Sequence, residues 1–249
     1  MFKIDHSKTF ARLPNAPIVE AVIQLVAAPA EAWNQEELKA KLASRFPDYE
    51  LKTIHRMAAH FQIASSAEKS LEIQEDWDGF RLTSVDGRYV SQFKPDNVIV
   101  SRLAPYEDWE RFTDVASLFW NVYLELAKPV AIDRIGVRFI SKIDLKEDES
   151  PGDFVDDAPA TLTAIGLVAE SFFHKDTFPT TGRPFTVDLT RTIQIQEPPL
   201  PRKALIVDID VTTTVPVAPN ELKSRLQDMR FIKNEIFFAF MKDVEKKFS

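Results

Sequence analysis

The chain has 249 residues, 45% hydrophobic and 28% charged, enough for one generous core and a composition that excludes disorder and repeat fibres. A formal charge of −7 at pH 7 sets up a field that repels nucleic acid and anionic membrane, and no local basic patch offsets it. There is no cysteine, which removes disulfides, thiolate nucleophiles and cysteine-based metal centres, and no window approaches the roughly 20 apolar residues of a membrane span.

The first six residues, Met1 to His6, carry no apolar leader, so the expected location is cytoplasmic, with neither nucleic acid nor membrane as partner. Residues 18–26 are apolar except at Glu20 and Gln24 and predict a strand buried on one face and largely on the other. Asn34, with Glu37 three residues on, predicts a helix start; Leu38, Leu42 and Phe46 share a face before Pro47 ends the helix. Five β-like runs follow, near 51–64, 70–76, 79–85, 88–94 and 97–103, with Asp86-Gly87 as a hairpin turn. A long helix is expected over 107–127, where Trp109, Phe112, Ala116, Phe119, Trp120, Tyr123 and Ala127 recur at three- and four-residue spacing, and Pro129 stops it. Residues 131–143 alternate as a strand, followed by an acidic loop over 144–157 and a short helical stretch near 159–165. Strands near 167–175, 185–195 and 204–214 precede a last helix from Asn220 as N-cap through Leu222, Leu226, Met229, Ile236, Phe240 and Val244.

The expected fold class is therefore α+β: mainly antiparallel sheet with two long helices packed on it. Both halves, 15–129 and 130–249, read as strand, helix, antiparallel strands, long helix. An offset of 114 aligns Ile18 with Ile132 and Ile23 with Val137, and an offset of 118 aligns Leu118-Phe119-Trp120 with Ile236-Phe237-Phe238. An internal duplication packed as one unit is expected.

Three segments, Pro17-Ile-Val-Glu20-Ala-Val, Ser101-Arg-Leu-Ala-Pro-Tyr106-Glu-Asp-Trp109-Glu and Arg134-Ile-Gly136-Val-Arg138-Phe-Ile, resemble a sporadically distributed, uncharacterised bacterial family of about this length. The resemblance covers nearly the whole chain. It implies carriage on mobile or strain-specific islands and brings no catalytic residue, and the C-terminal helix departs from the family's pattern.

Glu20 and Gln24 share one face of the first strand, and Arg134 and Arg138 share one face of its proposed duplicate. Carboxylate or amide facing guanidinium makes charge-assisted pairs, so these four residues are the expected site for a small anionic or amide-bearing ligand, or else an ion-pair network joining the halves. Asp208 and Asp210, at i and i+2, point one way from a strand, with Asp188 on a neighbour. Gathered together they would suit Mg²⁺; spread over a solvated sheet face they are ordinary alternation. Histidine spacing, a HExxH motif and a glycine-flanked serine all fail to supply a catalytic centre. Glycine numbers only 6 against 16 prolines, and no phosphate-cradling GxGxxG occurs.

The last helix has more apolar residues than one face holds, so Phe231, Phe237, Phe238 and Met241 are the expected interface with a partner, first of all a second copy of the chain. The expected function is that of a non-enzymatic binding or protein-interaction protein with no cofactor, its pocket lying between the halves. A metal-dependent enzyme acting on a phosphate-containing substrate through Asp188, Asp208 and Asp210 is the competing expectation.

Overall fold

A computed structural model describes residues 2–31, 34–63, 69–156, 165, 169–195 and 203–249, with backbone alone at 58–63 and 69–74. The strands are β1 (Ile18–Val26), β2 (Tyr49–Ile63), β3 (Lys69–Ser84), β4 (Tyr89–Lys94), β5 (Asn97–Leu103), β6 (Arg134–Leu145), β7 (Phe173–Pro179), β8 (Phe185–Ile195) and β9 (Lys203–Thr213). The helices are α1 (Gln35–Arg45), α2 (Trp109–Ala127), α3 (Leu222–Phe240) and the short α4 (Val244–Phe248). The fold is α+β, and two of its helices are long.

All nine strands join one antiparallel sheet in the order β2-β3-β4-β5-β1-β6-β9-β8-β7. Alternation along each strand sorts side chains to two faces. On one face Ile23 stands between Val100 and Val137, Val137 meets Val211, and Val211 meets Val187; each is 0–1% exposed. The helices cover this face, α2 lying on β5 and α3 on β9 and β6. The other face is open and carries Glu20, Gln24, Arg134, Arg138, Asp188, Asp208 and Asp210. The two central strands, β1 and β6, are the first strands of the two expected halves. Outward from them the order is β5, β4, β3 on one side and β9, β8, β7 on the other.

Local chemistry explains most element ends. The Asn34 side chain accepts from the N–H of Glu36 (2.8 Å), and Leu38 and Leu42 are fully buried. Asp108 accepts from the N–H of Arg111 (2.7 Å), so α2 begins at Trp109, two residues later than expected. Every aromatic and alanine expected on its buried stripe is buried. β2 and β3 form one long hairpin where three shorter runs were expected. A bulge at Ile54/His55 falls opposite Gly79, whose φ is +131° and where a Cβ would lie 2.0 Å from the Phe93 carbonyl oxygen.

The C-terminal region departs from expectation. Pro219 starts a 3₁₀ turn of its own, so Asn220 sits inside that turn and does not cap α3. The helix ends at Phe240 because Met241 bridges to Val155 and the Lys242 N–H goes to the Phe154 carbonyl (2.8 Å). Asp243, at φ +48°, turns the chain into α4. Part of the surplus apolar surface of α3 is covered from within the chain. Phe231, Phe237 and Met241 are 5–7% exposed, and Phe10 lies 5.6 Å from Phe231 and 5.4 Å from Phe238. Phe238 keeps some accessible surface. The helix expected near 159–165 lies outside the described residues apart from Ile165, as does the start of the strand expected over 167–175. Among the described residues no helix is long and apolar enough to cross a membrane.

Candidate functional site

On the open face, β1 and β6 bring Gln24 and Arg134 together: the Arg134 Nη2 donates to Gln24 Oε1 at 2.5 Å. Arg138 turns to Asp208 on β9 instead of Glu20, donating through Nε (2.9 and 3.0 Å) and Nη2 (2.6 Å). This bidentate pair holds the guanidinium above its ordinary pKa. Asp188 accepts from the Thr177 hydroxyl (2.6 Å) and pairs with Lys175 (2.8 Å), which lowers its pKa. Asp210 faces Asp188 on β8 and Arg138 on β6, and burial raises its pKa. The three aspartates are thus spread across two strands, Asp208 matched to Arg138 and Asp188 to Lys175, with Asp210 between them. Among the described residues no group of three or more histidine or carboxylate side chains is disposed to hold a metal ion.

The opposite face holds a cleft of about 730 Å³ between α3 and the turn into α2. Its floor is Phe139 and Ser141 of β6 with Ile209 of β9. One wall is the turn into α2, where the cis Ala104–Pro105 bond is followed by Tyr106 and Trp109. Tyr106 packs edge-on against the Phe139 ring at 5.4 Å. The other wall is α3, which contributes Arg230, Lys233, Asn234 and Phe237. The N-terminal segment crosses above, fastened to α3 by Lys8–Glu235 (2.5 Å), His6–Asp228 (3.0 Å) and the Phe10 contacts.

Most charged groups of the cleft are engaged within the chain. Glu107 pairs with Arg102 (3.0 Å) and Arg111 (2.9 Å), Asp108 caps α2, and Glu110 pairs with Arg230 (2.7 Å). Arg12 at the rim is exposed. Lys233 has no carboxylate partner among the described residues; its Nζ lies 4.1 Å from the centre of the Phe139 ring. Part of the side chain stays accessible through the cleft, while protein packed around the amine strips it of water. The ring face attracts the charged form, but burial and the nearby Arg230 oppose it and push the amine down to about 7. Tyr106 is shifted the other way: burial raises its pKa, so the hydroxyl keeps its proton at neutral pH. The buried Trp109 Nε1 has no hydrogen-bond partner. Such a set orients a ligand with an apolar body and a negative or carbonyl group.

Glu20, Gln24, Arg134 and Arg138 do not line this cleft; they sit behind its floor on the other side of the sheet. Lys233, Tyr106 and Trp109 were not singled out from the sequence as site residues. The signal was there for Lys233: Leu222, Leu226 and Met229 define the buried stripe of α3, and the next place on it holds a lysine before Phe237. A second groove of about 420 Å³, between β7–β8 and α3, is lined by residues such as Phe178, Leu189, Ile236 and Phe240 and has no ionisable group.

The three segments that carry the family resemblance are neighbours in space. β1 lies between β5 and β6, and the second and third segments supply Tyr106, Trp109 and Phe139 to the cleft. Comparison of the chain with models of known protein families and with curated proteins gives no match.

Proposed function

We propose that this is a non-enzymatic protein that binds a small anionic ligand with an aromatic or otherwise apolar body in the cleft between α3 and the turn into α2. The observation that carries the reading is Lys233, a partly buried lysine with no carboxylate partner among the described residues, in a cavity walled by Tyr106, Trp109, Phe139 and Phe237. Burying an unmatched cation is costly, and a ligand anion offsets that cost. The ring walls supply apolar contact.

The test is titration with benzoate, read by tryptophan fluorescence and calorimetry, with benzylamine as the cationic control. Benzoate is expected to bind with a dissociation constant below about 1 mM, and benzylamine not to bind. An anion stabilises protonated Lys233, so binding takes up a proton. Affinity is then highest below about pH 7 and falls as pH rises above the amine's own pKa. Equal binding of both compounds, or none of either, refutes the reading.

The sheet order and the two sequence offsets also support an internal duplication. Ile23 and Val137, equivalent at an offset of 114, are direct cross-strand partners, as two strands related by a local twofold axis require.

A further inference from the structure

We propose that Lys233 is a nucleophilic amine that captures the carbonyl carbon of an aldehyde or keto compound entering the cleft, holding it as an imine. The inference rests on the cleft being a ligand site and adds covalent chemistry to it. A lysine kept for charge alone is ordinarily met by a carboxylate. Here each nearby carboxylate is committed elsewhere: Glu107 to Arg102 and Arg111, Asp108 to the start of α2, Glu110 to Arg230. The amine is left facing a cavity of about 730 Å³ that opens to solvent, over the Phe139 ring.

Burial among apolar walls, with Arg230 one turn away on the same helix, is the environment that frees a lysine lone pair near neutral pH. Of the other charged groups lining the cleft, His6 and Lys8 are engaged by Asp228 and Glu235, and Arg12 is exposed. None is a carboxylate that would hold the ammonium form.

The step balances without an oxidant or reductant. The Nζ lone pair forms the C–N bond, and the carbonyl π pair moves to oxygen, which takes up a proton. The carbinolamine then loses that oxygen as water while nitrogen gives up its hydrogen, leaving C=N. Nitrogen loses one proton at the addition and its second at the dehydration, and oxygen gains two and leaves as water, all exchanged with solvent in the open cleft.

The probe is glyoxylate with cyanoborohydride, which reduces the imine to a stable secondary amine that peptide mass spectrometry locates. At pH 7 Lys233 is expected to be modified at least about tenfold faster than any other lysine, because ordinary lysines near 10.4 are almost wholly protonated there. The rate should reach half its plateau near pH 7, while surface lysines keep gaining rate well beyond it. Benzoate should suppress the reaction. Lys233→Arg, which keeps a cation but has no nucleophilic amine, should lose the adduct.

Modification spread evenly over surface lysines, or none at all, with benzoate still bound, overturns the imine and leaves the cleft reading standing. The absence of both adduct and benzoate binding overturns the two together.

Discussion

On the open face of the sheet Arg138 lies 2.6 Å from Asp208 and Arg134 2.5 Å from Gln24; on the helical face Lys233 has the Phe139 ring at 4.1 Å and no carboxylate among the described residues. The two sets stand on opposite sides of the same strand, β6. One gathers many charges and pairs most of them; the other leaves a lysine over. A dense polar cluster is thus the weaker pointer to a ligand, because neighbouring cations and anions on a solvated sheet satisfy one another. An unmatched group in an apolar cavity is the stronger one, since its cost is relieved only by something that enters.

Removing Lys233 gives the largest expected effect on this contrast. Lys233→Met should abolish benzoate binding and at the same time stabilise the free protein. The sign follows from linkage. The folded amine titrates near 7 and the unfolded one near 10.5, so the unfolded chain binds more protons between these values and wild-type stability rises with pH across that window. Well below pH 7 the wild type bears the full penalty. The stabilisation in Lys233→Met should therefore be greatest at pH 6 and shrink toward pH 10, as followed by urea denaturation at both ends. A pH-independent difference would mean that the amine is hydrated and ordinary.

Phe10→Ala is the next largest. Phe10 packs on Phe231 and Phe238 and fastens the roof of the cleft. Its loss should cost about 2 kcal/mol by urea denaturation and weaken benzoate binding. This variant also exposes the α3 aromatics that sequence reasoning assigns to an interface, so sedimentation of mutant against wild type tells whether that surface self-associates once uncovered.

Arg138→Ala sharpens the comparison from the other side. Arg138 is 47% exposed in its side chain and Asp208 13%, so breaking the pair should cost about 1 kcal/mol, less in high salt. If the cleft is the ligand site, Arg138→Ala and Arg134→Ala leave benzoate affinity unchanged. Loss of affinity in either would restore the open-face quartet as the site.

The contrast also accounts for what the sequence made legible. Period-two alternation identifies β6 and β9 and sorts their residues to the correct face, because alternation is a local property, and β1 reads as an apolar run broken at Glu20 and Gln24. The buried stripe of α2 reads equally well, and Asp108 is a cap of the usual kind. The end of α3 does not, since the bonds that divert Met241 and Lys242 come from Phe154 and Val155, distant in sequence. The cleft escapes notice for the same reason. It depends on a turn at Tyr106, a floor at Phe139 and a roof at Phe10, and no single window contains two of these. Lys233 alone left a local trace, as a cation on an apolar stripe.

The smallest expected effect separates the three aspartates of the open face. Asp210 is partly buried between Asp188 and Arg138, and Arg138 is already committed to Asp208, so burial dominates and raises its pKa. An acid with a folded pKa above its unfolded value contributes stability that is present below the unfolded value and lost as pH rises through the folded one. At pH 7 the ionised Asp210 is therefore a net cost, and Asp210→Asn should stabilise the fold by about 0.5 kcal/mol, a gain that closes as the pH falls below the ordinary carboxylate value. Asp188 is the reverse case: Lys175 and Thr177 hold its pKa down, so its contribution is present above the unfolded value and lost as pH falls through the folded one. Asp188→Asn should cost about 0.5 kcal/mol at pH 7 and little at acid pH. Urea denaturation of both variants at pH 7, where the signs are opposed, and well below the ordinary carboxylate value, at about pH 2.5, where both effects should vanish, measures the contrast. A Mg²⁺ site shared by Asp188, Asp208 and Asp210 would reverse the first of them, because Asp210→Asn would then lose the stabilisation that added Mg²⁺ confers on the wild type.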